Sequence, residues 1–366
     1  GVAASPSATA VAVGEAWRPR GDDTWLRSAF EIPEAWKGEM VVGLVRLSRT
    51  GSGFADGVEA MVYLDDEPYQ GIDANHAEIY FAPHHIARPI ELSLRVWGGE
   101  YGHRRDDPVP VEFRLESAVV TVVDTAADDL YFTALAAHGS LGVLSEGSWE
   151  RTRLEAALDA AFLLIDWRVP GSAEFYRSVA EVNGDLHRRL AALHSDSQVE
   201  VRCVGHSHID VAWLWRLSDT REKAARTFST VLRLMVRFPE YVFLQTQAQL
   251  YEYLEQDYPA IAEAVAARVA EGRWEAAGGM WIESDCNVPS GESLVRQLLY
   301  GIRDFETRFG SRCEYLWLPD VFGYSWALPQ ILKKAEIETF MTTKISWNVY
   351  NRFPHDTFLW RGVDGT

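Results

Sequence analysis

Cysteine is scarce. The three present, Cys203, Cys286 and Cys313, are far apart and odd in number, which is no disulfide framework; they are expected to pack cores in a reducing, cytoplasmic compartment. Basic side chains are also in deficit, 35 Lys and Arg against 53 Asp and Glu, for a formal net charge of -18. That balance repels phosphate backbones and anionic lipid surfaces, so neither nucleic acid nor a membrane is an expected partner. No apolar run approaches the roughly 18 to 20 residues that a bilayer span needs. The opening segment GVAASPSATAVAVGEAW lacks a basic start followed by an apolar core, so no secretory leader is expected. Internal repeats and low-complexity tracts are absent. Core material is not: 366 residues at 47% hydrophobic content supply two or three domains.

Three regions follow one another. Residues 1–125 carry short runs rich in Val, Ile, Tyr and Leu, namely MVVGLVRLS, EAMVYLDDEPYQG, AEIYFA and IELSLRVWGG, separated by Gly, Pro and Asp clusters. This predicts an N-terminal β-sandwich. Its Trp17, Trp25, Trp36 and Trp97 suit either packing or a sugar-stacking surface. Residues 126–197 change to helical periodicity, with Leu154, Leu158, Phe162 and Ile165 on one face, and read as a helical connector. From 198 to 366 strand and helix patterns alternate: VEVRCVG, YVFLQT, RWEAAGG, EYLWLP, TFMTTK and TFLWRG are strand-like. Between them lie helical segments, the first with Asp219 and Glu222 at capping-box spacing. Alternation of this kind predicts an α/β domain with parallel strands. A complete (β/α) barrel takes about 250 residues, so the expected domain is the N-terminal part of an incomplete barrel.

In parallel α/β domains chemistry sits on loops after the strands. His206, His208 and Asp210 follow the first strand, Glu283 and Asp285 the third, and Asp320 the fourth. In extended chain His208 and Asp210 point the same way and can chelate one ion. Imidazole with carboxylate suits zinc or another divalent metal such as cobalt. An HxH pair alone equally describes two hydrogen-bonded core histidines; Asp210 and the strand-end position favour ligands. Eight of the fourteen tryptophans lie from residue 198 onward, Trp213 and Trp215 among them. They suit either a core or an aromatic floor for a pyranose. Asp320, between Pro319 and the Phe322–Gly323 pair, is either a loop cap or a rigid carboxylate nucleophile.

The segments GHSHIDVAWLW, GGMWIESDCNVPSGESLVRQLLYG, LWLPDVFGYSWALPQIL and FMTTKISWNVYNRFPHDTFLWRGVDGT resemble the glycoside hydrolase family 38 α-mannosidases, in particular their cytosolic and bacterial branch. GVEAMVYLDDEPYQGID resembles that branch's N-terminal domain. The resemblance implies that His208, Asp210 and Asp320 ligate zinc, with Asp320 also the nucleophile. His206 would orient the site by hydrogen bonding. Trp213 would lie under the mannose, Phe322 would line the same pocket, and Lys344 stands where other branches carry an arginine. Glu283 and Asp285 would line the substrate site.

The implied reaction is hydrolysis of terminal α-linked mannose from a mannose-containing oligosaccharide, with retention, through a glycosyl-aspartate. The acid/base and a fourth, histidine ligand are expected beyond Thr366, in the same polypeptide or a second chain, so Glu283, Asp285 and Asp356 do not receive that role. A homo-oligomer is left open. Two other readings stand beside this one. A metal-dependent amidohydrolase would also begin with HxH but needs later metal ligands, and His355 is the only histidine after His208. A non-catalytic carbohydrate-binding fragment is the second.

Overall fold

The computed structural model describes residues 8–18, 23–50, 58–97, 112–193 and 199–366. Eight strands open the chain: β1 (Ala16–Trp17), β2 (Asp23–Glu31), β3 (Met40–Thr50), β4 (Ala60–Leu64), β5 (Glu67–Ile72), β6 (Glu78–Tyr80), β7 (Pro89–Trp97) and β8 (Glu112–Val123). They pair antiparallel in two four-stranded sheets, β1-β8-β3-β6 and β2-β7-β4-β5. Val41, Val45, Ile79, Ile90, Val96 and Phe113 fill the sandwich between them. The run EAMVYLDDEPYQG is a hairpin rather than one strand. Asp65 and Asp66 both take positive φ, 54° and 66°, the geometry of a two-residue turn that matches the twist of its strands. Of the four tryptophans in this region, Trp97 is buried and Trp17 packs on Phe113, whereas Trp25 stays 39% exposed beside Tyr63.

Three helices follow: α1 (Thr125–Leu141), α2 (Trp149–Leu163) and α3 (Ala173–Ala191). Each begins at a side-chain cap. Asp124, Ser148 and Ser172 accept the backbone N–H of Ala127, Arg151 and Phe175, closing donors the first turn leaves open. Leu154, Leu158 and Ile165 are buried among them as their spacing predicts, but Phe162 is 40% exposed. Phe162 lies at the rim of an apolar groove rather than in the core.

The remaining elements are β9 (Gly205–His206), α4 (Leu217–Arg237), β10 (Phe243–Gln245), α5 (Ala248–Asp257), α6 (Pro259–Ala270), β11 (Trp274–Ala276), α7 (Gly291–Phe309), β12 (Tyr315–Leu318), α8 (Leu328–Lys334) and β13 (Thr339–Thr342). All strand pairs are parallel: β9 with β10, β10 with β11, and β12 with β13. A single backbone bond from Trp317 N to Gly278 O (3.3 Å) links the two groups, so the strands stand in sequence order. The described sheet is open. Two expected strands differ. The first forms a strand only over Gly205–His206, and the Val199, Val201 and Val204 side chains before it are exposed. TFLWRG is not a strand and Leu359 is fully exposed, because no described strand lies alongside it to complete a ladder. Helix α4 starts at Leu217, earlier than the Asp219–Glu222 spacing predicts. The Asp219 carboxylate reaches back to accept the Arg216 N–H at 2.9 Å. Among the described residues no helix is long and apolar enough to cross a membrane.

Helix α4 has two buried faces. Ala224, Phe228, Leu232 and Met235 join Phe243, Tyr251 and Trp274 in the core of the α/β domain. Its other face lies on the sandwich, where Gly71 permits contact: a Cβ there would stand 2.7 Å from the Arg226 carbonyl oxygen. Thr230 Oγ1 donates to Gly71 O at 3.1 Å. Lys223 and Arg226 both donate to the Glu59 carboxylate, at 2.6 and 2.8 Å, and Arg226 is only 5% exposed.

Burial raises the Glu59 pKa, but the charges of Arg226 and Lys223 outweigh it and hold the carboxyl below its ordinary 4.5. A depressed carboxyl contributes stability that is complete above the unfolded value and is lost as pH falls through the folded one. Glu59→Gln is therefore expected to lower unfolding stability near neutrality by on the order of 3 kcal/mol, because it removes the carboxylate shared by Arg226 and Lys223 and leaves the buried arginine only Glu222, at 3.7 Å. The gap to wild type should close as pH falls below 4.5. Denaturant unfolding at neutral and acid pH checks this, and a gap independent of pH would contradict it.

Candidate metal centre at the strand ends

After β9 the chain stays extended, so successive side chains alternate. Ile209 is the buried one, 1% exposed in the core beneath. His208 and Asp210 flank it and emerge together, with His208 Nε2 3.2 Å from Asp210 Oδ1. Asp320, two residues beyond β12, brings Oδ2 to 3.9 Å from the same nitrogen. One donor atom from each of His208, Asp210 and Asp320 lies within 4.8 Å of the others. It is the one such grouping of His, Cys, Asp or Glu among the described residues.

Behind His208 stands Glu283, from the loop after β11. Its Oε2 is 2.6 Å from His208 Nδ1, and its side chain is 3% exposed. Its other oxygen accepts from Thr246 Oγ1 at 2.5 Å, and its N–H donates to Gln247 Oε1 at 3.1 Å. Gln247 also donates through Nε2 to Ile209 O at 2.8 Å, clamping the first and third loops together. Thr246 is seated tightly by Gly278, which has φ +100° and whose Cβ would lie 2.5 Å from Thr246 Cγ2. Burial alone would lower the His208 pKa, but hydrogen bonds to Asp210 and Glu283 outweigh it and hold the imidazole up at about 10. The carboxylates that favour a proton on this ring favour a cation at Nε2 for the same reason.

His206 stands apart from this cluster. Leu244 O lies 3.0 Å from Nδ1, and Trp317 Nε1 donates to Nε2 at 3.2 Å. A carbonyl on one side and an indole N–H on the other require the Nδ1–H tautomer and leave no lone pair free. Burial lowers its pKa and keeps the ring neutral.

Glu283, expected from the sequence to line the substrate site, has its carboxylate buried behind His208 with both oxygens engaged. Asp285 is exposed and caps its own turn, with Oδ1 accepting from Asn287 N at 2.6 Å and Val288 N at 3.0 Å. Lys344 Nζ is 2.6 Å from Asp320 Oδ1 and 3.6 Å from the Trp347 ring centroid, so it neutralises the carboxylate while lying on an aromatic face. Phe322 (74% exposed) and Lys344 lie on the wall of an open cleft of about 1210 Å³ with Tyr324, Phe340, Trp347 and Phe358. Trp213, 56% exposed, meets Trp215 edge-on at 5.6 Å. Trp215 Nε1 donates to Thr220 Oγ1, which donates to Asp210 O at 3.2 Å. Thr246 and Gln247 escaped the sequence reading although they follow a strand, in YVFLQTQ, as the other site residues do.

Residues 198–366 match the glycosyl hydrolases family 38 N-terminal domain, and residues 2–91 match an α-mannosidase jelly roll domain. Alpha-mannosidase G of Dictyostelium discoideum is 34% identical over 97% of this chain and 32% of its own length. Human alpha-mannosidase 2C1 is 34% identical over 97% of this chain and 34% of its own length. The chain thus spans about a third of these relatives. A crystal structure of an α-mannosidase from Enterococcus faecalis V583 shares 27% identity over 38% of this chain and 16% of that one, with a TM-score of 0.36. With the jelly-roll and N-terminal domains matched in succession along it, the chain belongs to glycosyl hydrolase family 38.

Proposed function

We propose that this chain is the N-terminal part of a metal-dependent, retaining α-mannosidase acting on mannose-containing oligosaccharides. The observation that supports it most is the meeting of His208, Asp210 and Asp320, from two loops far apart in sequence, in a member of this family. The donor set fits zinc, or cobalt, since one imidazole nitrogen and two carboxylate oxygens lie close enough to share one ion and the imidazole is braced by a carboxylate behind it. When bound, the metal supplies Lewis-acid polarisation of sugar hydroxyls. Asp320 attacks the anomeric carbon, forming a C–O bond as the glycosidic oxygen leaves with a proton, and Lys344 holds the carboxylate in place. Trp213 and Phe322 offer apolar faces to the sugar. Glu283 is committed to His208, and the proton donor is assigned to polypeptide beyond Thr366, which also completes the barrel begun by β9–β13. The engagement of both His206 nitrogens counts against the amidohydrolase reading, which needs both histidines of the HxH as ligands. The free cysteines support the cytoplasm as the compartment.

His208→Ala and Asp210→Ala are expected to abolish tight metal binding, whereas His206→Ala keeps stoichiometric binding at lower thermal stability. Metal analysis of the three proteins decides this, and complete loss in His206→Ala would contradict the assignment.

The longer protein is expected to release α-mannose first, as seen by proton NMR, and initial release of the β anomer would overturn retention. A verified 366-residue chain should turn over a natural mannoside at least about 10²-fold more slowly than the longer protein, the typical worth of a general acid. Equal rates would place the acid within the residues described above.

A further inference from the structure

We infer that Glu283, held by Thr246 and Gln247, is the positioning residue that sets the tautomer and aim of His208, an assignment that rests on the metal reading above. A carboxylate only accepts hydrogen bonds, so its 2.6 Å contact keeps a proton on His208 Nδ1 and leaves Nε2, 3.2 Å from Asp210 Oδ1, as the nitrogen whose proton a metal ion would displace. At 3% side-chain exposure against 35% for Asp210 and 41% for Asp320, Glu283 belongs to the support of the site rather than to its open face. Thr246 Oγ1 holds the free oxygen of its carboxylate, and Gln247 Oε1 holds its backbone by accepting from the N–H. Gln247 carries the restraint back to His208's own neighbour by donating to Ile209 O at 2.8 Å. The strand ends thus act in series. The third loop aims a ligand of the first, and the residues after β10 hold the two loops in register.

An amide in place of the carboxylate could present its NH₂ to Nδ1, which would move the ring proton to Nε2 and close the lone pair the cluster needs. The test is titration of the protein with Co(II) and Zn(II) in the absence of any sugar, read by chelator competition and by the visible spectrum of the Co(II) form. Glu283→Ala and Glu283→Gln are expected to bind about 10 to 100-fold more weakly than wild type, with an altered Co(II) spectrum. Thr246→Val, which leaves the carboxylate in place with one donor fewer, should fall between them and wild type, and it serves where a Glu283 variant does not fold. Unchanged affinity and spectrum in folded Glu283→Gln and Thr246→Val would overturn the inference while leaving the metal reading standing. A wild-type protein that takes up neither ion would overturn the metal reading and this inference with it.

Discussion

The two buried faces of α4 are the constraint on which the rest depends. One face carries Phe228 into the core of the parallel sheet, and the other sets Arg226 and Lys223 against Glu59 of the sandwich. The first turn of the same helix holds the candidate site, because Thr220 donates to the Asp210 carbonyl and receives the Trp215 indole N–H. A buried arginine is tolerable only with its anion in place. The sandwich therefore supports the loop that carries His208 and Asp210 although it contributes no residue to the cluster.

At the site itself, a small apolar plug and polar clamps do the positioning. Ile209, buried between His208 and Asp210, forces those two to the same side. Gln247 ties the Ile209 carbonyl to Glu283, and Lys344 holds Asp320 from the opposite side. Candidate donor atoms from separate loops come within 4.8 Å because each loop is fixed by a neighbour's side chain. Such preorganisation is what a metal site needs from its support.

How much of this was legible depended on how local the signal was. His208 and Asp210 could be paired from spacing alone, since extended chain repeats every two residues, and Asp320 stood out by its place after a strand-like run. Glu283 was found as a strand-end acid, but its part could not be read, because the choice between facing solvent and facing His208 depends on how the third strand lies against the first. His206 matched the motif equally well, yet Leu244 and Trp317 engage both its nitrogens. The apolar runs at 199–204 and 357–361 had strand composition without strands, since a strand is made by its neighbour as much as by its own residues. The Asp65–Asp66 turn inside an apparent single strand shows the reverse, a local backbone signal that composition concealed.

The central claim is that one divalent metal sits between His208, Asp210 and Asp320, with His206 outside its shell. Anomalous diffraction from crystals grown with zinc, recorded on both sides of the zinc absorption edge, tests it most directly. The account predicts one strong peak bonded to His208 Nε2 and to a carboxylate oxygen of each aspartate, at about 2.0 to 2.2 Å. A peak bonded to His206, or a zinc that leaves Asp320 uncoordinated, would contradict it.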